Sequence, residues 1–430
     1  MKIKNFNQLA TTSLRKQALL IAEAAYQAID TEFLTDKQFE YDAKKDQLTV
    51  MGKKYDLSQY KRVVVVGGGK VVAQAAAVIE RKLGARLSAG VVVDIVAADL
   101  EIIKSRVGTH PLPSSANVAA TQEMIDLVEH CDETTFVIAL IGGGGSSLLS
   151  LPAQVSLEEE RKIFKALLRS GADITEMNTV RKHLSFIKGG GLAKVAYPAR
   201  VVSLIFSDVP GDSLEFVASG PTVKDSSSVH DAGKILSKYD ILMHCSMDQC
   251  GLEETPKEDR YFKNVDNILF ASSQQALDAM KERAKELGIE VKIWNKAYGG
   301  EARELAKQIV QSVSAGQCLI GAGESVVTID ESNQHIGKGG RNQEMALAAA
   351  LEIKEPIVFG SFASDGRDNS DVAGGFVDHK TKERFELLKV DAQQELDNHN
   401  TYQLMLDSES SIMTGVTGSN ISDFIICIKE

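Results

Sequence analysis

The segment VVVVGGGK, residues 63–70, passes from four valines into three glycines and a lysine, and VVAQAAAVIERKLG (71–84) follows at helical spacing. A short, wholly apolar run closed by glycine is the pattern of a strand covered on both faces, and such strands belong to parallel sheets. The pattern returns downstream. AGVVVD (89–94) is a second strand, GTHPLPSSAN (108–117) a loop leading into a helix over 116–129, and FVIALIGGGGSS (136–147) a strand ending in four glycines. LEEERKIFKALLRSG (157–171) reads as a further helix and VVSLIF (201–206) as a further buried strand. Strands alternating with helices imply right-handed crossovers and an α/β fold. Upstream, LRKQALLIAEAAYQAI (14–29) has the spacing of an amphipathic helix, and 44–56 is polar enough for a hairpin or loop.

The alternation resumes late in the chain. NILFASSQQALDAMKERAKELG (267–288) contains a strand, a capping box at Ser272 and Gln275, and an amphipathic helix. EVKIW (290–294), CLIGAGESVVTI (318–329), PIVFGSFASDGRD (356–368) and DFIICI (423–428) supply strands, and RNQEMALAAALEI (341–353) a helix. Between the halves, 240–263 is weakly periodic and charge-rich. The expected organisation is therefore two α/β domains with a cleft between them, 1–240 and 264–430, joined by a linker at 241–263.

At 430 residues the chain exceeds one ordinary core. Its 43% hydrophobic and 25% charged residues are those of a soluble globular enzyme. No apolar run reaches bilayer length, and MKIKNFNQLATTS lacks the apolar core of a signal peptide, so a cytoplasmic protein without a membrane partner is expected. Five scattered cysteines fit a reducing compartment. His244, Cys245 and Cys250 lie close together, but no second ligand pair with zinc spacing follows them. The net charge of -11 argues against nucleic acid as a partner, which requires a basic surface. A local basic cluster can still make a pocket positive for a small anion.

Such a cluster precedes VVSLIF: Arg181, Lys182, Lys188 and Lys194, with Asp208 and Asp212 just after the strand. Ligands of parallel sheets bind beyond the carboxyl ends of the strands, so this arrangement suits an anionic substrate and a metal-bound phosphate. The competing reading is a solvated turn with surface ion pairs. Gly67, Gly68 and Gly69 before Lys70 allow backbone to approach a phosphate at a helix N-terminus. The turn lacks Walker A spacing. As a dinucleotide fingerprint it has Gly67 and Gly69 but Val72 in place of the third glycine, while Asp94 occupies the position of a ribose-binding acid. Gly142 to Gly145, with Ser146 and Ser147, form a second glycine turn whose entropy cost favours close approach of a ligand. Glu324 ends a strand. Arg341, preceded by Gly337, Gly339 and Gly340, leads a helix, which the helix dipole disfavours unless an anion compensates. Asp365 and Asp368 end another strand and are candidate magnesium ligands.

The motifs VVGGGKVV, THPLPSSANV, IGGGGSSLL, NTVRKHLSFIKGGGLA, SDVPGDSLEFVASGPT, GAGESVVTI, GKGGRNQEMALA, ASDGRDNSDVAGG and TGVTGSNISD occur in this order over nearly the whole chain. Together they resemble the glycerate 2-kinase family of the MOFRL type. The resemblance implies a Rossmann-like N-terminal domain with a parallel sheet, a C-terminal mixed-sheet MOFRL domain, and an active site between them. It also implies transfer of phosphate from ATP to D-glycerate, giving 2-phosphoglycerate, with Mg2+. Carried onto this chain, it implies catalysis by Lys70, Arg341 and Asp208, and Mg2+ held by Asp208, Asp212 and Asp365. Nucleotide binding falls to Gly67, Gly68, Gly69, Gly143, Gly144, Ser146, Ser147, Glu324, Gly340 and Asn420, the last within Thr414, Gly415, Thr417, Gly418 and Asn420 of the TGxTGxN pattern. Arg181, Lys188 and His110 are the substrate-binding candidates, the first two for the carboxylate. Three departures lie near the site and bear on substrate preference: Val71 where the family has alanine, Ser147 where alanine follows a single serine, and Asn369 where glycine is common. The alternative is an NAD(P)H-dependent hydroxypyruvate or tartronate-semialdehyde reductase, with His110 or His183 donating a proton. A homodimer is left open.

Overall fold

Burial on both faces makes the valine run an inner strand: Val63 to Gly68 are all buried, as is every residue from Thr135 to Ile141. The computed structural model describes residues 1–242, 248–330, 332 and 335–430. Two compact units result, one of Leu34–Ala271 and one of Met1–Phe33 with Ser272–Glu430.

The first unit opens with an antiparallel meander, β1 (Phe39–Asp42), β2 (Gln47–Val50) and β3 (Lys53–Asp56). Six strands follow: β4 (Arg62–Gly68), β5 (Ala89–Asp94), β6 (Ile103–Val107), β7 (Thr135–Ile141), β8 (Arg200–Phe206) and β9 (Val265–Ala271). They form one parallel sheet in the order β6-β5-β4-β7-β8-β9. Counted within the sheet this is 3-2-1-4-5-6, the doubly wound nucleotide-binding order, which confirms the expected Rossmann-like sheet. The order reverses between β4 and β7, the strands that carry the two glycine turns. The unexpected strand is β6, an edge strand whose Lys104 and Arg106 pair with Glu123 and mask its period.

The second unit holds a mixed sheet of β10 (Glu290–Glu301), β11 (Gln317–Val326), β12 (Ile357–Ala363), β13 (Gly374–Asp378), β14 (Ser411–Ile412) and β15 (Asp423–Lys429). Its order is β10-β11-β15-β12-β13-β14, and only β10 and β11 run parallel. The chain's last strand thus inserts between β11 and β12. The alanine-rich helix Arg341–Glu352 packs on this sheet, nearly all of it buried.

The division differs from the one expected at 241–263. The helix Ser13–Ala28, capped by Thr12, belongs with the C-terminal sheet. There the Tyr26 hydroxyl donates to the Ala363 carbonyl at 3.1 Å, and fully buried Arg15 pairs with Asp378 at 3.0 Å. Conversely, β9 pairs along β8 and completes the parallel sheet. The described part of 241–263 is tied to that first unit: the Glu253 N–H donates to the His183 carbonyl and Lys257 to the Asp225 carbonyl. Its charge reflects these anchors. His244 and Cys245 lie outside the described residues. Among the described residues no group of three His, Cys, Asp or Glu is arranged to hold a metal, and no helix is long and apolar enough to cross a membrane.

Candidate functional site

Where the strand order reverses, the two glycine turns lace together backbone to backbone. The Lys70 N–H donates to the Gly143 carbonyl at 2.8 Å, and the Gly142 N–H to the Gly68 carbonyl at 3.1 Å. Gly69 has φ +140°, and a Cβ there would lie 2.5 Å from the Gly142 backbone. Gly67 and Gly68 face Leu140, Leu149 and Val93 as closely. These glycines are therefore required by packing within the protein, whatever ligand the turns also meet. Gly69→Ala is expected to destabilise by about 3 kcal/mol or more, lowering the melting temperature by about 10 °C. A thermal melt checks it.

The lacing gathers polar groups. A Cβ on Gly144 would lie 3.0 Å from the His110 ring and 3.6 Å from the Lys70 stem. The Gly144 N–H donates to Asp208 at 3.2 Å. Burial, then the charge of Lys70, holds the His110 imidazole below its ordinary pKa. Asp208 follows β8 and is half-buried. Asp212, in the same SDVPGD turn, has φ +55° and a buried Oδ1 with no hydrogen-bond partner. Burial raises its pKa against a bond from Ser207.

The helix beginning at Val72 is not an open anion site. Asp94, buried, accepts from the Ala73 N–H at 3.0 Å and from the Ile95 N–H at 2.6 Å. Burial raises its pKa while backbone N–H groups, Val72 among them, oppose the rise. The acid expected to bind ribose is thus spent on N–H groups at the helix start. Val71 precedes this helix at φ +68°, a conformation rare for a β-branched residue.

The basic segment also needs correction. Lys182, 3% exposed, ion-pairs with buried Asp225 and lies 3.4 Å from Glu215. Lys188, 1% exposed, donates to the Leu149 carbonyl at 2.9 Å, and burial pushes its pKa down to about 8. So enclosed, Lys188 braces the chain just after the second glycine turn through the Leu149 carbonyl. Lys194 is exposed. Arg181 stays half-buried over the Phe164 ring at 5.1 Å, its pKa lowered by burial against the pull of Glu160. His183 is buried, with Nδ1 2.8 Å from the Thr179 carbonyl and Nε2 3.3 Å from Glu254. Asn117 was missed by sequence reasoning. Its amide accepts from Thr109 and Ser114 and donates to the Ser147 carbonyl at 2.9 Å, fixing the His110 loop to the second turn. Its place three residues after Ser114, in a capping box, was the available signal.

In the second unit Arg341 begins its helix as expected, but the compensating anions are the protein's own. Nε and Nη2 donate to Asp423 at 2.5 and 3.2 Å, and Nη1 pairs with Glu324. Burial opposes the charge, yet Asp423, Glu324 and Asp368 outweigh it and hold the guanidinium above its ordinary range. Asp368 caps the helix, accepting from the Asn342 and Gln343 N–H groups at 3.1 and 2.8 Å. Burial raises this acid to about 6, against those N–H groups and with help from Asp423. Gly340 makes room for the cap, because a Cβ there would lie 2.4 Å from the Asp368 carboxylate. Asp365 is half-buried and accepts from the Arg367 N–H at 2.9 Å. Asn420 is half-buried in the loop that Thr417 ties to the Ser364 carbonyl at 2.5 Å. Asn369, at φ +53°, takes the left-handed conformation that explains a preference for glycine there.

Two family models match the chain: one described as a domain of unknown function, DUF4147, over residues 17–249, and the MOFRL family over 317–423. The D-glycerate 2-kinase of Thermotoga maritima is 38% identical, the match covering 85% of this chain and 90% of that protein. The glycerate 2-kinase of Pyrococcus horikoshii is 36% identical, covering 89% and 90%. A putative hydroxypyruvate reductase of Agrobacterium vitis is 35% identical, covering 84% and 86%. The crystal structure of glycerate kinase from Thermotoga maritima matches with TM-score 0.85 and 34% identity, over 97% of this chain and 100% of that one.

Proposed function

The chain belongs to the glycerate 2-kinase family, and we propose that it transfers the γ-phosphoryl group of ATP to the C2 hydroxyl of D-glycerate. The observation that carries this reading is the pair of laced glycine turns at the strand reversal, with Lys70 and Asp208 brought to Gly144. Phosphoryl transfer needs positioning and charge neutralisation rather than covalent chemistry from the protein. Lys70 neutralises the transferring group. Asp208, held by the Gly144 N–H, takes the proton of the attacking hydroxyl. Arg341, anchored through two nitrogens to Asp423, is the second cation that the family resemblance implies.

Asp212 fits a divalent cation, because its buried Oδ1 has no other partner. We assign Mg2+ to the SDVPGD turn, where Asp212 would hold it and the metal would supply charge to the phosphate oxygens. Of the two cations expected at the glycerate carboxylate, Arg181 keeps the role. It lies one turn beyond Asn178 on the same helix face and is partly exposed. The reductase reading is not favoured: Asp94 is spent on a helix, and of its two candidate proton donors His183 is enclosed beside carboxylates, leaving His110 alone.

The test is to incubate the protein with ATP, Mg2+ and D-glycerate and to couple the product to enolase alone. Phosphoenolpyruvate absorbance without phosphoglycerate mutase is expected and identifies the 2-phosphate. A signal only with the mutase, or ATP-independent NADH oxidation by hydroxypyruvate, would sink the proposal.

A further inference from the structure

The second glycine turn ends in two hydroxyls, and hydrogen counting fixes what each can offer a ligand. A serine hydroxyl has one hydrogen and two lone pairs. Ser147 Oγ lies 2.5 Å from the Pro111 carbonyl, which can only accept, so the Ser147 hydrogen is committed there. Ser146 Oγ lies 3.0 Å from Ser219 Oγ, a contact in which either could donate. Ser219, however, donates its single hydrogen to Asn178 Oδ1 at 2.9 Å. Ser146 must then be the donor. The relay runs Ser146 to Ser219 to Asn178 and leaves Ser146 with lone pairs alone to present.

The relay is firmly held. Ser219 and Asn178 are buried, so water does not reset it, whereas Ser146 is partly exposed. Ala218, Ser219 and Gly220 take successive left-handed conformations, φ +50°, +59° and +62°. Two of these are disfavoured for residues with a Cβ, and they persist because neighbours impose them. The Gly189 N–H donates to the Ser219 carbonyl at 2.9 Å and the Gly190 N–H to the Gly220 carbonyl at 2.8 Å. Ala218 packs against Gly145, where a Cβ would meet its own at 2.5 Å.

A phosphate oxygen accepts hydrogen bonds, and so does a carboxylate. Neither gains anything from a serine whose hydrogen is already spent. From this polarity we infer that Ser146 does not hold nucleotide phosphate but accepts a hydrogen bond from the C3 hydroxyl of the substrate acid. The inference rests on the kinase reading above. Within glycerate the carboxylate has no hydrogen and the C2 hydroxyl must give its proton to a carboxylate base, so the C3 hydroxyl is the donor left to be read. Ser146 is then a specificity residue, and Ser219 and Asn178 are positioning residues that set its polarity.

D-Lactate differs from D-glycerate by lacking only that hydroxyl. The experiment measures KM and kcat for D-glycerate, Ki for D-lactate against D-glycerate, and KM for ATP, in the wild type, Ser146→Ala and Ser219→Ala. Ser146→Ala is expected to lower kcat/KM for D-glycerate about 10- to 100-fold, as loss of a polar substrate contact does. It should leave the D-lactate Ki and the ATP KM within about twofold, since neither ligand uses that contact. Ser219→Ala returns the hydrogen to Ser146 and should lower D-glycerate selectivity in the same direction by a smaller factor. A raised ATP KM in Ser146→Ala, or unchanged selectivity over D-lactate in both variants, would overturn the inference while leaving the kinase intact. A wild type that phosphorylates no D-glycerate would overturn the kinase reading itself.

Discussion

Lys70→Ala is expected to lower turnover in the enolase-coupled assay at least about a hundredfold, on the order of 3 kcal/mol of lost transition-state stabilisation. Stability should hardly change. The backbone N–H of residue 70 still donates to the Gly143 carbonyl, so the interlocked turns survive the loss of the half-buried side chain. The variant therefore separates chemistry from folding: a melting temperature near wild type with turnover nearly gone. Near-normal turnover would remove Lys70 from the mechanism.

Arg341→Ala should fail in both respects. One guanidinium bonds Asp423 and Glu324 and faces the charge of Asp368, and Asp423 is 2% exposed. Removing one partner of a buried pair typically costs about 3–5 kcal/mol. The arginine side chain is itself 37% exposed, and solvent screening reduces the expected loss to about 2–3 kcal/mol. Turnover should fall about a hundredfold as well, through loss of the second cation. Arg341→Lys keeps a charge but not the two-nitrogen grip on Asp423, so intermediate stability and poor turnover are expected. Calorimetry and the coupled assay test the pair. A melting temperature and turnover like those of the wild type in Arg341→Ala would overturn both roles.

These expectations show which parts of the site were legible beforehand. The glycine turns, the Ser272 capping box and Arg341 at its helix start all follow from residues a few positions apart, and each stands where local spacing placed it. The fate of the charges was not legible. Asp94 and Asp368 read as ligand-binding acids because each ends an apolar strand. What absorbs them is a helix start more than twenty residues away in sequence, at separations of 21 and 25. Lys182 and Lys188 read as an anion site, yet Asp225 and a carbonyl at Leu149 claim them. A sequence lists cations and carboxylates without saying which face each other.

What this sequence determined alone was the alternation of buried strands with helices, the two glycine turns and the family whose motifs it carries. Those properties depend on hydrophobic period and backbone freedom, which neighbouring residues set. Tertiary structure decided the strand order that brings the turns together, the sheet that receives the N-terminal helix, and the charges that remain to meet a substrate. Such outcomes depend on burial and on partners as remote as Arg15 and Asp378, 363 residues apart, which only the folded chain brings into contact.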